Sequence, residues 1–277
     1  MFRDILVPLV NVPEADAASA LDGLVRTVGT LEGAATGLAV EIDFAQPVYV
    51  YADAVAFMYD AFRDAEKAND AHVERLARQF EQHSAAAAVT SDIELVRAFA
   101  GDVPGLIARR ARLHDLTLFV VDDGDSYLRG CIESVIFGAG RPVLVLPRAA
   151  SPVALKKVVV AWDFSREAAR ALTDAMPILR QAEAVTLLHV SDDGAALHPG
   201  TPAIQRHLGR SGIDARYVEV ARGTLSVHQA LEEHARHNDA DLVVMGAYGH
   251  TRLREFILGG VTRDMLKAPY LPVLMSH

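Results

Sequence analysis

The chain has 277 residues, enough for one large domain or two of ordinary size, and with 51% apolar and 23% charged residues it can bury substantial cores and is not a disordered polymer. A net charge of −9, a pI near 5.6 and the lack of a basic stripe argue against nucleic-acid binding. No apolar run reaches the length of a membrane span, and the single cysteine excludes an internal disulfide and suits a reducing cytoplasm.

The first residues, Met1 to Pro8, read as a strand directly after the initiator rather than as a signal peptide. The apolar run Ile5–Val10 is the expected first strand, and Leu21, Leu24, Val25, Val28 and Leu31 give the region from Glu14 to Leu31 a helical stripe. Ala35–Ile42 reads as a second strand. An aromatic segment, Val48 to Tyr51, leads into a long polar helix ending near His83, on which Leu76, Phe80 and His83 share a face. A third strand spans Asp92–Phe99. A helix over Gly101–Leu113 has Asp102 placed to cap it and Pro104 in its first turn. A fourth strand covers Leu116–Val121, a helix Asp125–Phe137, and a fifth strand Val143–Leu146. Cys131 falls in the apolar pattern of that helix and reads as a core thiol. The cluster Arg109, Arg110 and Arg112 reads as a solvated helix face.

The series then restarts. Ala149 to Pro152 forms a plausible linker, giving domains 1–150 and 151–277. Lys157–Asp163 repeats the pattern of Asp4–Val10, and Ser165 caps a helix to about Gln181, with Glu167 in its first turn. Strands over Ala184–Val190 and Ala215–Val220 flank a short helix over Pro202–Leu208, and Ser226–His237 reads as a helix. Leu242–Met245 reads as a buried strand, Arg252–Leu258 as a helix, and Pro272–Met275 as the closing strand. Asp115-Leu-Thr-Leu-Phe-Val and Asp241-Leu-Val-Val-Met-Gly are locally alike, as are Asp4-Ile-Leu-Val and Lys157-Val-Val-Val. Strand and helix alternate five times in each half, which predicts an α/β fold built from parallel sheets with helices on both faces. The two halves are expected as separate units related by a pseudo-two-fold. Their closing strands, Val143–Leu146 and Val273–Met275, are expected to pair with each other, because an exposed apolar edge is an aggregation hazard.

The richest stretch runs from Leu242 to Thr262. A strand ends at Gly246, Gly249 follows, and a helical pattern closes on Gly259 and Gly260, giving Gly-x2-Gly-x9-Gly. Glycines at a strand-to-helix turn let backbone N–H groups approach an anion, and they also serve tight turn geometry without any ligand. This spacing resembles the phosphate-binding signature of the universal stress protein family, and Leu271 to His277 is similar to that family's last strand. The resemblance covers both halves. It implies a tandem member made of two Rossmann- or flavodoxin-like domains, each with a five-stranded parallel sheet, that binds an adenine nucleotide such as ATP, with or without magnesium, and self-associates as a homodimer.

By position the resemblance makes Asp163 the adenine-contacting carboxylate, with Ala161, Trp162, Val190 and Met245 around the base. It places Gly246, Gly249, Gly259, Gly260 and Val261 around the phosphates, and Thr262 as the remaining hydroxyl donor. Asp163 also fits a plain turn or cap residue, and Trp162 either stacks on a base or fills core. His189 stands at a strand end as a pocket-facing or simply satisfied histidine. Arg252 and Arg254 either touch phosphate or face solvent. One departure concerns the residue after the last glycine: nucleotide-binding members usually carry Ser or Thr there, and this chain has Gly260.

The first half departs further. Its first loop, Leu9 to Pro13, has no carboxylate, its fourth strand is followed by Asp122-Asp-Gly-Asp125, and Pro142 comes four positions after Gly138, where thirteen separate Gly259 from Pro272. Nucleotide is therefore expected in the second half only. No Walker sequence, metal-spaced Cys/His cluster or nucleophile elbow is present. No metal and water-orienting base can be named for hydrolysis, so at most a slow hydrolase is expected. Two functions stay open: a nucleotide-binding stress or regulatory protein, and a structural stress protein acting through its dimer surface.

Overall fold

The computed structural model describes residues 2–10, 17–43, 52–121, 125–148, 153–192, 198–248, 260–267 and 269–277, with backbone only for 52–62. The aromatic segment 48–51, the linker 149–152 and the helix expected over 252–258 lie outside the described residues.

In the first half the elements are β1 (Asp4–Pro8), α1 (Ala17–Thr30), β2 (Ala34–Asp43), α2 (Ala52–Ala86), β3 (Ser91–Phe99), α3 (Val103–Ala111), β4 (Leu116–Val121), α4 (Ser126–Gly138) and β5 (Val143–Pro147). In the second they are β6 (Lys157–Ala161), α5 (Arg166–Leu179), β7 (Ala184–Ser191), α6 (Thr201–Arg210), β8 (Ala215–Ala221), α7 (Val227–His237), β9 (Leu242–Gly246), α8 (Val261–Lys267) and β10 (Val273–Ser276). The expected strands are found at nearly the expected residues. Helix α8 is additional: the reading of Gly259-Gly260 as a helix end hides the short apolar stripe of Val261, Met265 and Leu266 behind it.

Local signals explain several helix starts. Ser165 Oγ accepts from the Ala168 N–H at 3.0 Å, and Asp125 Oδ1 from the Leu128 N–H at 3.0 Å. Ser226 and Gln229 make a reciprocal capping box at the start of α7. Asp102 is a correction. It ends a short 3-10 turn, Ala100–Asp102, that leads into α3, and its side chain makes no capping bond; Pro104 in the first turn sets the start instead.

The strand order is β3-β2-β1-β4-β5-β10-β9-β6-β7-β8. Every neighbouring pair is parallel except β5 with β10, which run antiparallel with Leu144 opposite Leu274. Each half thus has the same internal order, and the antiparallel seam relates the two by a pseudo-two-fold. The closing strands pair as expected. That pairing also corrects the expectation of two separate sheets: the two five-stranded blocks share hydrogen bonds at the seam and form one ten-stranded sheet.

Both faces are covered. Leu242 and Val244 of β9 join a core with α1, α2, α5 and α6, while Val243 and Met245 point to the other face with α3, α4, α7 and α8. Cys131 is fully buried in this second core. Leu76 and Phe80 pin α2 onto the sheet, and a Cβ added to Gly37 would lie 2.9 Å from the Phe80 ring. Arg110 pairs with Glu94 at 2.6 Å, so the basic cluster of α3 is partly engaged rather than wholly solvated.

Candidate functional site

Within each half the strand order reverses between the first and fourth strands, and crevices at such points, beyond the carboxyl ends of the strands, are where open α/β sheets hold ligands. In the second half this point lies between β6 and β9. A cavity opens there, lined by Ala161, Trp162 and Asp163 after β6, Leu188 and Val190 of β7, and Met245, Gly246 and Tyr248 at the end of β9. Ser165, Glu167 and Ala168 at the start of α5, Val227 and Leu231 of α7, and Val261 and Thr262 of α8 complete it.

Eight residues singled out in the sequence therefore meet on one cavity: Ala161, Trp162, Asp163, Val190, Met245, Gly246, Val261 and Thr262. Gly260 precedes the lining residue Val261, and its carbonyl accepts from the Asp264 N–H at 3.1 Å as α8 begins. Gly249 and Gly259 lie outside the described residues, as do Arg252 and Arg254.

Several side chains have structural duties. Asp163 is exposed, and its Oδ1 accepts from the Ser165 N–H at 2.9 Å, closing the turn between β6 and α5. Trp162 is buried in the core and meets Phe164 edge-on at 5.5 Å, while its indole N–H has no acceptor among the described residues. His189 shares a hydrogen bond with the Trp162 carbonyl at 2.8 Å and meets Phe164 at 6.0 Å, so it braces the loop. Thr262 is buried, and its Oγ1 accepts from the Tyr248 N–H at 3.2 Å, a bond that leaves its own hydroxyl proton uncommitted among the described residues.

Gly246 has a reason of its own. A Cβ there would lie 2.5 Å from the Glu167 carbonyl carbon and 2.6 Å from the Ala168 nitrogen, so the glycine lets the end of β9 pack onto the first turn of α5. The same contact brings Glu167 to the cavity. Its side chain is only 7% exposed beside the Arg166 guanidinium at 2.5 Å. Burial pushes this carboxyl up, but the hydrogen bond from Arg166, a backbone hydrogen bond and the nearby positive charges outweigh it and leave the pKa below the ordinary value.

Among the described residues, six non-glycine residues have positive φ. Glu32, Ala88 and Asp239 follow the ends of α1, α2 and α7, where a left-handed residue commonly terminates a helix. Phe164 (φ 61) and Tyr248 (φ 57) instead stand at the two strand-to-helix turns beside the cavity. Such conformations cost on the order of 1–3 kcal/mol each and gather at functional sites.

Sequence reasoning missed Ser165, Glu167, Ala168, Leu188, Val227, Leu231 and Tyr248 as lining residues. Leu188 was within reach, since it shares a strand face with Val190. Val227 and Leu231 belong to a helix whose position depends on the strand order, which no local pattern reveals.

The first half is built differently at the matching place. Helix α4 starts at Ser126, soon after β4 ends at Val121, and Asp125 caps it. After β9 the described residues resume at Gly260, and α8 starts at Val261.

Comparison with known proteins agrees with this geometry. Residues 154–277 match the Universal stress protein family. A universal stress protein of Synechocystis is 27% identical over 157 residues, and the chain spans about half, 51%, of that relative's length. The solved universal stress protein of Archaeoglobus fulgidus shares the fold over 99% of this chain and 95% of its own, with a TM-score of 0.65 at 17% identity. A structure described as a putative universal stress protein, from Pseudomonas aeruginosa, covers 99% of this chain and 93% of its own, with a TM-score of 0.51 at 14% identity. The chain carries the fold of these proteins along its whole length, and its second half, residues 154–277, is similar to the universal stress protein family.

Proposed function

We propose that the second half binds an adenine nucleotide, ATP or a close relative, in the cavity between β6 and β9, and that the chain is a stress-response or regulatory protein without evident catalysis. The observation that carries this reading is the convergence of Ala161, Asp163, Val190, Met245, Gly246, Val261 and Thr262, from four separate parts of the chain, on one cavity at the strand-order switch point. In this reading Ala161, Trp162, Val190 and Met245 surround the base and the outer carboxylate oxygen of Asp163 accepts from its amine. The phosphates meet the N–H groups around Gly246, Gly249, Gly259, Gly260 and Val261, and the Thr262 hydroxyl. Glu167 sits on the same cavity, so a polyphosphate is better accommodated together with magnesium, which offsets the carboxylate's repulsion.

The loop Leu9 to Pro13, which has no carboxylate, and the acidic run Asp122 to Asp125, which would repel phosphate, support a site in the second half only, with domains 1–150 and 151–277. A cytoplasmic setting and a homodimer belong to the same proposal. Among the described residues no helix is long and apolar enough to cross a membrane. Strands β5 and β10 are consumed within the chain, so self-association needs another face; edge strand β3, with Leu95 51% and Phe99 42% exposed, supplies one.

The test is calorimetric titration of the full chain with ATP and magnesium. The unmodified chain should bind, Gly249→Val should abolish binding while leaving a folded protein, and Gly138→Ala, whose new methyl meets only the Ala108 side chain among the described residues, at 3.2 Å, should bind normally. A second reading, a structural stress protein acting through its dimer surface, draws on two observations: Asp163 and Thr262 already accept backbone N–H groups, and Gly260 brings no hydroxyl. No binding by the unmodified chain would decide for it.

A further inference from the structure

The turn that forms one wall of the cavity is held from the other half of the chain. Tyr248 lines the cavity, and its hydroxyl donates to Glu133 Oε1 at 2.7 Å, a contact between residues 115 positions apart. Glu133 and Phe137 are four apart on α4 and so lie on one face of that helix. Phe137 packs against the Tyr248 ring at 4.6 Å between centroids and against the His277 ring at 5.0 Å. His277 in turn shares a hydrogen bond with the Ala247 carbonyl at 2.8 Å, and the Tyr248 N–H donates to Thr262 at 3.2 Å. Tyr248 holds φ 57, a strained value for a tyrosine, so the contacts around it must offset that cost.

None of these first-half residues lines the cavity, and no capping or turn requirement of α4 explains Glu133 or Phe137. Their contacts fall instead on Tyr248 and, through His277, on Ala247, the two residues that follow β9.

We propose that Glu133 and Phe137 of the first half are positioning residues for the cavity of the second, fixing Tyr248 so that the wall it shares with Thr262 is preformed for ligand. This rests on the nucleotide reading of the cavity. A bond that preforms a binding wall raises affinity by sparing the ligand the cost of ordering it. Linkage requires the reverse effect as well: ligand in the second half must strengthen the hold on α4 of the first. The half that departs from the nucleotide signature would then sense, through α4, whether its partner half is occupied.

The experiment is a double-mutant cycle on the full chain with ATP and magnesium as the probe. Tyr248→Phe and Glu133→Ala should each weaken binding by about three- to tenfold, the scale of one net hydrogen bond. The double variant should be no weaker than the worse single, because both remove the same bond. Glu133→Gln keeps the acceptor and should bind nearly as the unmodified chain does. Hydrogen exchange supplies the readout that a merely structural role would not move: nucleotide should slow amide exchange in α4 of the unmodified chain and leave it unchanged in Tyr248→Phe. Normal binding by the unmodified chain with undiminished affinity in both single variants, or additive losses in the double variant, would overturn the positioning role alone. No binding by the unmodified chain would overturn the nucleotide reading, and this inference with it.

Discussion

The α-carbon of Gly246 faces the backbone of Glu167 so closely that a single added methyl would sit 2.5 Å from its carbonyl carbon. Backbone atoms cannot swing aside as a flexible side chain can, so β9 or α5 must shift to admit it. Gly246→Ala should lower the stability of the chain by about 1–3 kcal/mol, the usual cost of overpacking a core. Denaturant unfolding measures this, and an unchanged midpoint would mean that the two elements slide apart freely.

Glu167 makes that stability depend on pH. Burial pushes this carboxyl up, but the hydrogen bonds from Arg166 and the backbone, together with nearby positive charge, outweigh it, so its folded pKa lies below the ordinary carboxylate value. A carboxyl of this kind binds fewer protons folded than unfolded, so its stabilisation is full above the unfolded pKa and is lost as pH falls through the folded one. Glu167→Gln should therefore cost about 1 kcal/mol at pH 7, a modest figure because Arg166 is largely in water. The gap to the unmodified chain should close as pH is taken from 5 towards 3. A gap that widens on acidification would contradict the assignment.

Cys131 should be inert in the folded protein. It is fully buried, and burial, aided by the charge of Asp125, pushes the thiol up to about 12. Thiolate is the reactive form. A chromogenic disulfide reagent at pH 8 should therefore find no free thiol until guanidinium unfolds the chain, when one equivalent should appear. Rapid labelling under native conditions would show that α4 opens far more readily than its packing implies.

Gly23 sits mid-helix in α1, and a Cβ there meets nothing within 4 Å among the described residues. Gly23→Ala should raise stability by about 0.5–1 kcal/mol, since alanine leaves less backbone freedom to lose on folding. Thermal unfolding should show a higher midpoint, and a lower one would point to a neighbour outside the described residues.

The sequence by itself determined the alternation of strand and helix, the restart at Lys157, the cap at Ser165, and the buried character of Cys131. These rest on periodicity and on hydrogen bonds that span a few residues, so they are written locally. It also brought together most of one cavity wall, because Ala161 to Asp163 and Met245 to Gly246 stand at the ends of neighbouring strands. The tertiary structure alone decided the rest. It turned Val227 and Leu231 of α7 towards the cavity and gave Gly246 a packing duty against α5. It also set Tyr248 against Glu133 from the opposite half. Each of these depends on where an element lands after the sheet has assembled, and the partners lie tens to more than a hundred residues apart, beyond the reach of any local pattern.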